Sequence, residues 1–348
     1  MNNMVMLGFF MALFAGACAG GAATPIKLMR HFKYEHWSFI AAMTGMVVLP
    51  WLVMLLFCPD VFTALGTVTG STLLKANLLS MSWGIANVLC GLCLVRIGFS
   101  LTVGLLTGVG LPIGVLLPMV FRGSGQFADA PGLFTRSGLV IGLGVAVMMV
   151  AVVLISQAGF GRDAQQKNAV TTGAKVEPGR FRTGLVMAVI AGFLQVGLSF
   201  AFVYTQAPIN EALRSHGAGV TAAGVGIWAV TMPGGALINL GFAAFLMIRN
   251  RSWPVLTSAP KEILLSLLIG IIFLTFLVSM GTSMRWLGVL GASVGFAVYQ
   301  MAQICTSQAV GFISGEWHGI TGKPRAQMLR AIAMLIIAVV IIASGRSV

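Results

Sequence analysis

The sequence predicts an all-α integral membrane protein with ten transmembrane helices arranged as two inverted five-helix repeats. Three observations predict this fold. First, 58% of the 348 residues are hydrophobic, 8% are charged and mean hydropathy is +0.97, so the chain lacks the charged shell that a soluble protein of this length needs. Second, the apolar residues come in runs of about 20, the length that crosses a hydrocarbon core of roughly 30 Å as a helix. Third, a faint internal similarity relates the two halves of the chain.

The predicted spans lie near 4–25, 37–57, 72–95, 99–121, 137–157, 183–207, 221–248, 262–281, 287–314 and 327–345. The first begins "MNNMVMLGFFMALFAGACAGGAA". It lacks the basic start of a secretory signal and runs on to Lys27, Arg30 and Lys33, so it is expected to be a membrane helix. Alternate connections are basic: 26–36, 96–98, 158–182, 249–261 and 315–330 hold 15 of the 21 Lys and Arg. The opposite side holds six, Lys75, Arg122, Arg136, Arg214, Arg285 and Arg346. The positive-inside rule then puts both termini outside. The net charge of +13 is a topological signal, and because the charge is not gathered on one face it does not imply nucleic acid.

The longest polar stretch, 159–182, reads as a cytoplasmic linker between an N-terminal repeat at 1–158 and a C-terminal repeat at 183–348. "GFFMALFAG" (8–16) aligns with "GLVMAVIAG" (184–192) at an offset of 176. "NLLSMSWG" (77–84) resembles "ILLSLLIG" (263–270) at an offset of 186. Five spans is an odd number, so the second repeat enters the membrane the opposite way round, the arrangement of many secondary transporters. The 44 glycines, many in small-xxx-small spacing, allow close helix contacts. Pro50, Pro112, Pro118, Pro208 and Pro233 mark kinks or unwound turns. Cys90 and Cys93 have redox or metal spacing but no accompanying ligands, so they read as packing residues. No cofactor, nucleotide or metal motif is visible, and oligomeric state is not legible.

Polar residues form stripes inside several spans. Asn77, Ser80, Gly84, Asn87 and Gly91 share one face of the third, with Trp83 beside them one turn from Asn87. Gln195, Ser199, Phe202, Gln206 and Asn210 share a face of the sixth, where Tyr204 adds a hydroxyl. Asn239 lies on the seventh with Thr231 and Gly235, and Tyr299, Gln300 and Gln303 lie on the ninth. A single buried amide often makes only a helix–helix hydrogen bond. Several stripes on different helices are expected instead to line a polar cavity. Amides, hydroxyls and aromatic faces suit a neutral polyhydroxylated solute; an anion would need a central cation, and a metal ion would need carboxylates or grouped His. The eight acids all fall near span ends or in loops. Of these, Glu211 and then Glu316 are the proton-site candidates.

Four segments, "WGIANVLCGLCLVRIGFSLTVGL" (83–105), "GLSFAFVYTQAP" (197–208), "MPGGALINLGF" (232–242) and "GEWHGITGKP" (315–324), resemble in order the bacterial L-rhamnose–proton symporter family of the drug/metabolite transporter superfamily. The resemblance implies ten spans, both termini in the periplasm, and uptake of L-rhamnose or a related 6-deoxyhexose across the inner membrane by proton symport. On matching positions it implies Trp83, Asn87 and Asn239 as site residues and Glu211 and Glu316 as the matching acids. The alternative within the superfamily is a transporter, possibly an exporter, of another metabolite or drug, which would want a wider apolar cavity. A membrane enzyme would have to rest on Glu316-Trp317-His318 in one short loop, so no enzyme is expected. A channel would want a selectivity filter of a kind not seen here.

Overall fold

Apolar segments in lipid must satisfy their own backbone N–H and C=O groups, which a helix does. The computed structural model describes residues 3–22, 24–97, 99–120, 132–169, 178–288, 294–315 and 317–344, and its regular structure among these is entirely helical. In chain order the principal helices are α1 (Asn3–Gly21), α2 (Tyr34–Phe57), α3 (Gly70–Ile97), α4 (Phe99–Val120), α5 (Arg136–Ala169) and α6 (Pro178–Leu194). There follow α7 (Gly197–Ser215), α8 (Val220–Thr231), α9 (Pro233–Arg249), α10 (Pro260–Leu287), α11 (Phe296–Ile313) and α12 (Lys323–Ser344).

The prolines explain the irregularities. In α2 the turn Met43–Val48 is π-helical, immediately ahead of Pro50, whose ring cannot sit against the carbonyl four residues earlier. Pro233 opens α9, and α8 meets α9 at a bend of 53°. Pro208 sits inside α7.

By length and apolarity, seven of the described helices can cross a bilayer, or eight if the bent pair α8–α9 crosses as one. The expected ten crossings exceed this by the fourth and ninth. Both form helices, α4 and α11; α11 is diluted by Gln300, Gln303 and Gln308, whereas α4 is uncharged and apolar over its 22 residues. The expected linker is helical at both ends: α5 continues to Ala169 through a segment rich in helix-forming Ala, Gln and Lys, and α6 begins at Pro178.

The helices of the two halves interleave. The most extensive contact is α5 with α12; α1 packs on α10 and α11, α3 on α6, α7 and α9, and α4 on α5 and α6. The second helix packs on α8, α9 and α10, and α4 also touches α11. One buried cluster gathers Met54, Phe202, Ile209, Leu213, Trp228 and Leu277, and another Leu111, Ile141, Met148, Leu335 and Ile342.

A carboxylate ties the first connection to α10. Glu262, buried in the first turn of α10, accepts the backbone N–H groups of Arg30 (2.8 Å), His31 (3.0 Å) and Phe32 (2.6 Å), and the His31 ring nitrogen approaches to 3.1 Å. Alongside it, Asn250 donates to Glu35 at 3.0 Å and the His36 ring meets the Ser252 carbonyl at 3.1 Å.

Candidate substrate site

The break between α8 and α9 frees backbone groups that need partners inside the membrane. The polar stripe of α3 supplies them. Asn77 accepts the Gly234 N–H at 2.8 Å and donates to the Val230 carbonyl at 3.1 Å, bridging the two sides of the break. Ser80 accepts the Gly235 N–H at 3.0 Å. The N-terminal part of the stripe is therefore structural, and it docks α3 against the bend.

Two turns further on, the stripe changes character. Asn87 is exposed and donates to the Asn239 side-chain oxygen at 3.4 Å, a long hydrogen bond. Asn239 is buried and donates back to the Gly235 carbonyl at 2.8 Å, which fixes its amide with the oxygen facing α3. Trp83, half-buried, stacks on Phe273 with ring centroids 5.7 Å apart and planes 27° from parallel. Both residues stand midway along 28-residue helices, α3 and α10. The aromatic series continues from Phe273 to Phe276 (5.8 Å), Tyr299 (5.2 Å, stacked) and Phe296 (5.9 Å). It joins α3, α10 and α11 across the middle of the bundle.

The structure brings Trp83, Asn87, Asn239 and Tyr299 to this region and distributes the other candidates more widely. Gln300 is buried and Gln303 half-buried on α11, where the backbone at Tyr299 and Gln303 packs against Gly16 of α1. Gln195 lies at the α6–α7 break and donates to the Leu106 carbonyl of α4 at 2.6 Å, a helix–helix bond. Gln206 is half-buried on α7; Tyr204, on the same helix, is 45% exposed. Glu211 is exposed near the end of α7. Glu316 lies outside the described residues. Its neighbour Trp317 is buried, stacks on Phe312 at 5.0 Å and lies under the Arg162 guanidinium at 5.5 Å, so this aromatic is a packing residue that seats the last connection on α5. Among the described residues no group of three or more His, Cys, Asp or Glu could hold a metal ion.

Two contributors escaped the sequence reading, Phe273 and Phe276. They sit in the apolar run "IIFLTFLV", where an aromatic is indistinguishable from core packing, and only the distance to Trp83 and Tyr299 reveals them.

The sequence profile of the L-rhamnose-proton symport protein family matches residues 1–348. The chain belongs to that family. An L-rhamnose-proton symporter of Cronobacter sakazakii is 31% identical over 268 residues, covering 76% of this chain and 74% of its own. Those of Klebsiella pneumoniae and Yersinia pestis are 26% and 28% identical over 359 and 361 residues, with 99% of each chain covered. The family is one of symporters rather than enzymes, and the chain is a multi-pass membrane protein.

Proposed function

We propose that this protein takes up L-rhamnose, or a related 6-deoxyhexose, across the bacterial inner membrane together with protons. The observation that carries the reading is the Trp83–Phe273 stack with the Asn87–Asn239 pair one turn away. An aromatic face packs on the C–H surface of a pyranose, and the methyl group of a 6-deoxy sugar needs no polar partner. Amides donate to and accept from ring hydroxyls. Trp83, Asn87, Asn239 and Tyr299 form the centre of the proposed site; Gln300, Gln303, Gln206, Gln195 and Tyr204 belong to its surroundings. The proton-route candidates are Glu211 and Glu316, the acids at span ends that match the family pattern; the buried carboxylates Glu35 and Glu262 already hold N–H donors.

Transport is proposed to proceed by alternating access of two inverted five-helix repeats, 1–158 and 183–348, joined by a cytoplasmic linker at 159–182, with both termini periplasmic. The packing pattern supports the repeat. Exchanging each span with the one five places along turns α1–α10 into the contact of α6 with α3, α1–α11 into α6–α4, and α2–α10 into α9–α3, all of which occur. The contacts α5–α12 and α4–α11 map onto themselves. Among the described residues three contacts have no comparable equal: α7–α8 has none between α1 and α2, α3–α4 none between α10 and α11, and α8–α10 none between α2 and α3. Single residues follow the same exchange. Ser283 donates to the Gly8 carbonyl (2.8 Å) and Cys93 to the Gly184 carbonyl (3.4 Å). A Cβ on Gly16 would strike the Tyr299 carbonyl, and one on Gly192 would come within 3.1 Å of the Leu106 carbonyl. Helices α3 and α10 begin and end 190 residues apart, so the packing favours that offset over 186, one turn away. At 190, Trp83 and Phe273 are equivalent positions, and their stack straddles the pseudo-twofold axis.

The test is uptake of radiolabelled L-rhamnose into proteoliposomes, with and without an inward proton gradient and with other sugars as competitors. Gradient-driven accumulation blocked by cold rhamnose is the expected result. Uptake that only equilibrates would remove the symport mechanism, and uptake of a different solute would move the substrate.

A further inference from the structure

Arg214 and Arg285, two of the six cations assigned to the outer side, meet in one cavity. It measures about 250 Å³ and lies between the end of α7, the start of α8 and the end of α10; Asn210, Thr221, Thr282 and Trp286 also line it. Each guanidinium is positioned by one contact. Arg214 donates to the Ala218 carbonyl at 3.1 Å, and Arg285 to the Thr282 hydroxyl at 3.3 Å. Gly224 leaves room for Arg285: a Cβ there would come within 2.8 Å of both terminal nitrogens. A guanidinium has five N–H donors, so each arginine keeps most of its own for something else.

Among the described residues no carboxylate lines the cavity; Glu211, next to Asn210 in the chain, is exposed and not among the lining residues. Two like charges in one partly enclosed space repel, and an anion between them reverses the sign of that energy. Asn210 adds a second, independent requirement. Its Oδ1 is buried without a hydrogen-bond partner. An amide oxygen accepts only, so the missing group is a donor, and a buried acceptor left alone is costly. The arginines call for an oxyanion and Asn210 for a hydrogen-bond donor, which a hydroxyl group on the same ligand supplies.

We propose that this cavity binds an oxyanion that also carries hydroxyl groups, either a free sugar acid or the glycerophosphate headgroup of an anionic lipid. It is distinct from the central site. Trp286 and Phe273 are both on α10, separated by about 20 Å of helix. A neutral deoxyhexose offers no negative charge to balance a pair of guanidiniums. Placing the cavity on the periplasmic side rests on the topology proposed above; the binding itself does not.

The experiment uses the purified full-length protein. In one arm, calorimetric titration compares D-glucuronate, sn-glycerol 1-phosphate, inorganic phosphate and L-rhamnose. In the other, native mass spectrometry compares lipid retained from nanodiscs of phosphatidylglycerol and of phosphatidylcholine. Binding of a free hydroxylated anion identifies a solute site; selective retention of phosphatidylglycerol alone identifies a lipid site. In either case Arg214→Gln and Arg285→Gln should each weaken binding about tenfold or more. Asn210→Leu should weaken the hydroxylated ligands and spare inorganic phosphate. Arg285→Lys, which keeps the charge and loses the fork, covers the case in which Arg285→Gln is not monodisperse. Absence of binding in both arms, or binding that survives both arginine substitutions, overturns the proposal. An equal loss for inorganic phosphate in Asn210→Leu overturns its hydroxyl part. Failure of rhamnose uptake alone leaves the binding result standing, so the two readings are separable.

Discussion

Trp83 of α3 and Phe273 of α10 stack across the centre of the bundle, 5.7 Å between centroids. If this stack is one wall of the sugar site, removing either ring should be felt in transport more than in folding. Trp83→Ala and Phe273→Ala are each expected to lower uptake at least tenfold, and Phe273→Trp is expected to retain most of it. Initial uptake rates in proteoliposomes check this; equal loss in Phe273→Ala and Phe273→Trp would make the stack mere packing.

The Asn87–Asn239 bond, at 3.4 Å, is long enough that its direct worth to the fold is small. Interhelical polar contacts in membranes average about 0.6 kcal/mol. Asn87→Ala should therefore change unfolding free energy by less than about 1 kcal/mol. A lost hydrogen bond to a sugar hydroxyl should raise the half-saturation concentration roughly tenfold. Measuring denaturation and uptake on the same preparation separates helix glue from substrate contact.

Asn77 has the opposite profile. It bridges the Gly234 N–H and the Val230 carbonyl at a break where neither has a helical partner. Asn77→Leu leaves both unsatisfied, at about 1–3 kcal/mol for each buried group. A marked loss of thermal stability is expected, with the half-saturation concentration of the surviving protein unchanged. A shift in that concentration without destabilisation would place Asn77 in the site.

Glu262 holds the loop at Arg30–Phe32 by three backbone N–H groups. Glu262→Ala leaves those donors to water and should free the loop. Trypsin cleavage after Arg30 in the purified protein is expected to accelerate several-fold, while cleavage after Arg325 keeps its rate. An unchanged cleavage pattern would mean the loop is held by other contacts.

The helical, membrane-spanning character was legible because lipid imposes it: long apolar runs follow from solvation alone. The expected ninth span is the less distinct, because α11 spends its faces on Gln300, Gln303 and Gln308 and carries a weaker apolar signal. The proposed site was only partly legible. Asn87, Asn239, Trp83 and Tyr299 stood out as polar or amphipathic groups in apolar runs. Phe273 and Phe276 did not, since an aromatic in a hydrophobic segment has no distinguishing chemistry until its neighbour is known. The stripe on α3 also concealed two jobs, and no spacing rule separates Asn77, which mends a broken helix, from Asn87, one and a half heptads along the same face.

The tie between Glu262 and the first loop bears on how the protein is made. The chain is synthesised from its N-terminus, and the amides of Arg30, His31 and Phe32 emerge 230 to 232 residues ahead of the carboxylate that satisfies them. The helix before them has its main neighbours, α10 and α11, among the last segments to appear. The first helix and its loop must therefore wait through most of translation, the loop hydrated and the helix bare to lipid or to the insertion machinery. A stalled or truncated chain that stops short of Glu262 carries an orphan first helix, and that helix is what membrane quality control would meet first.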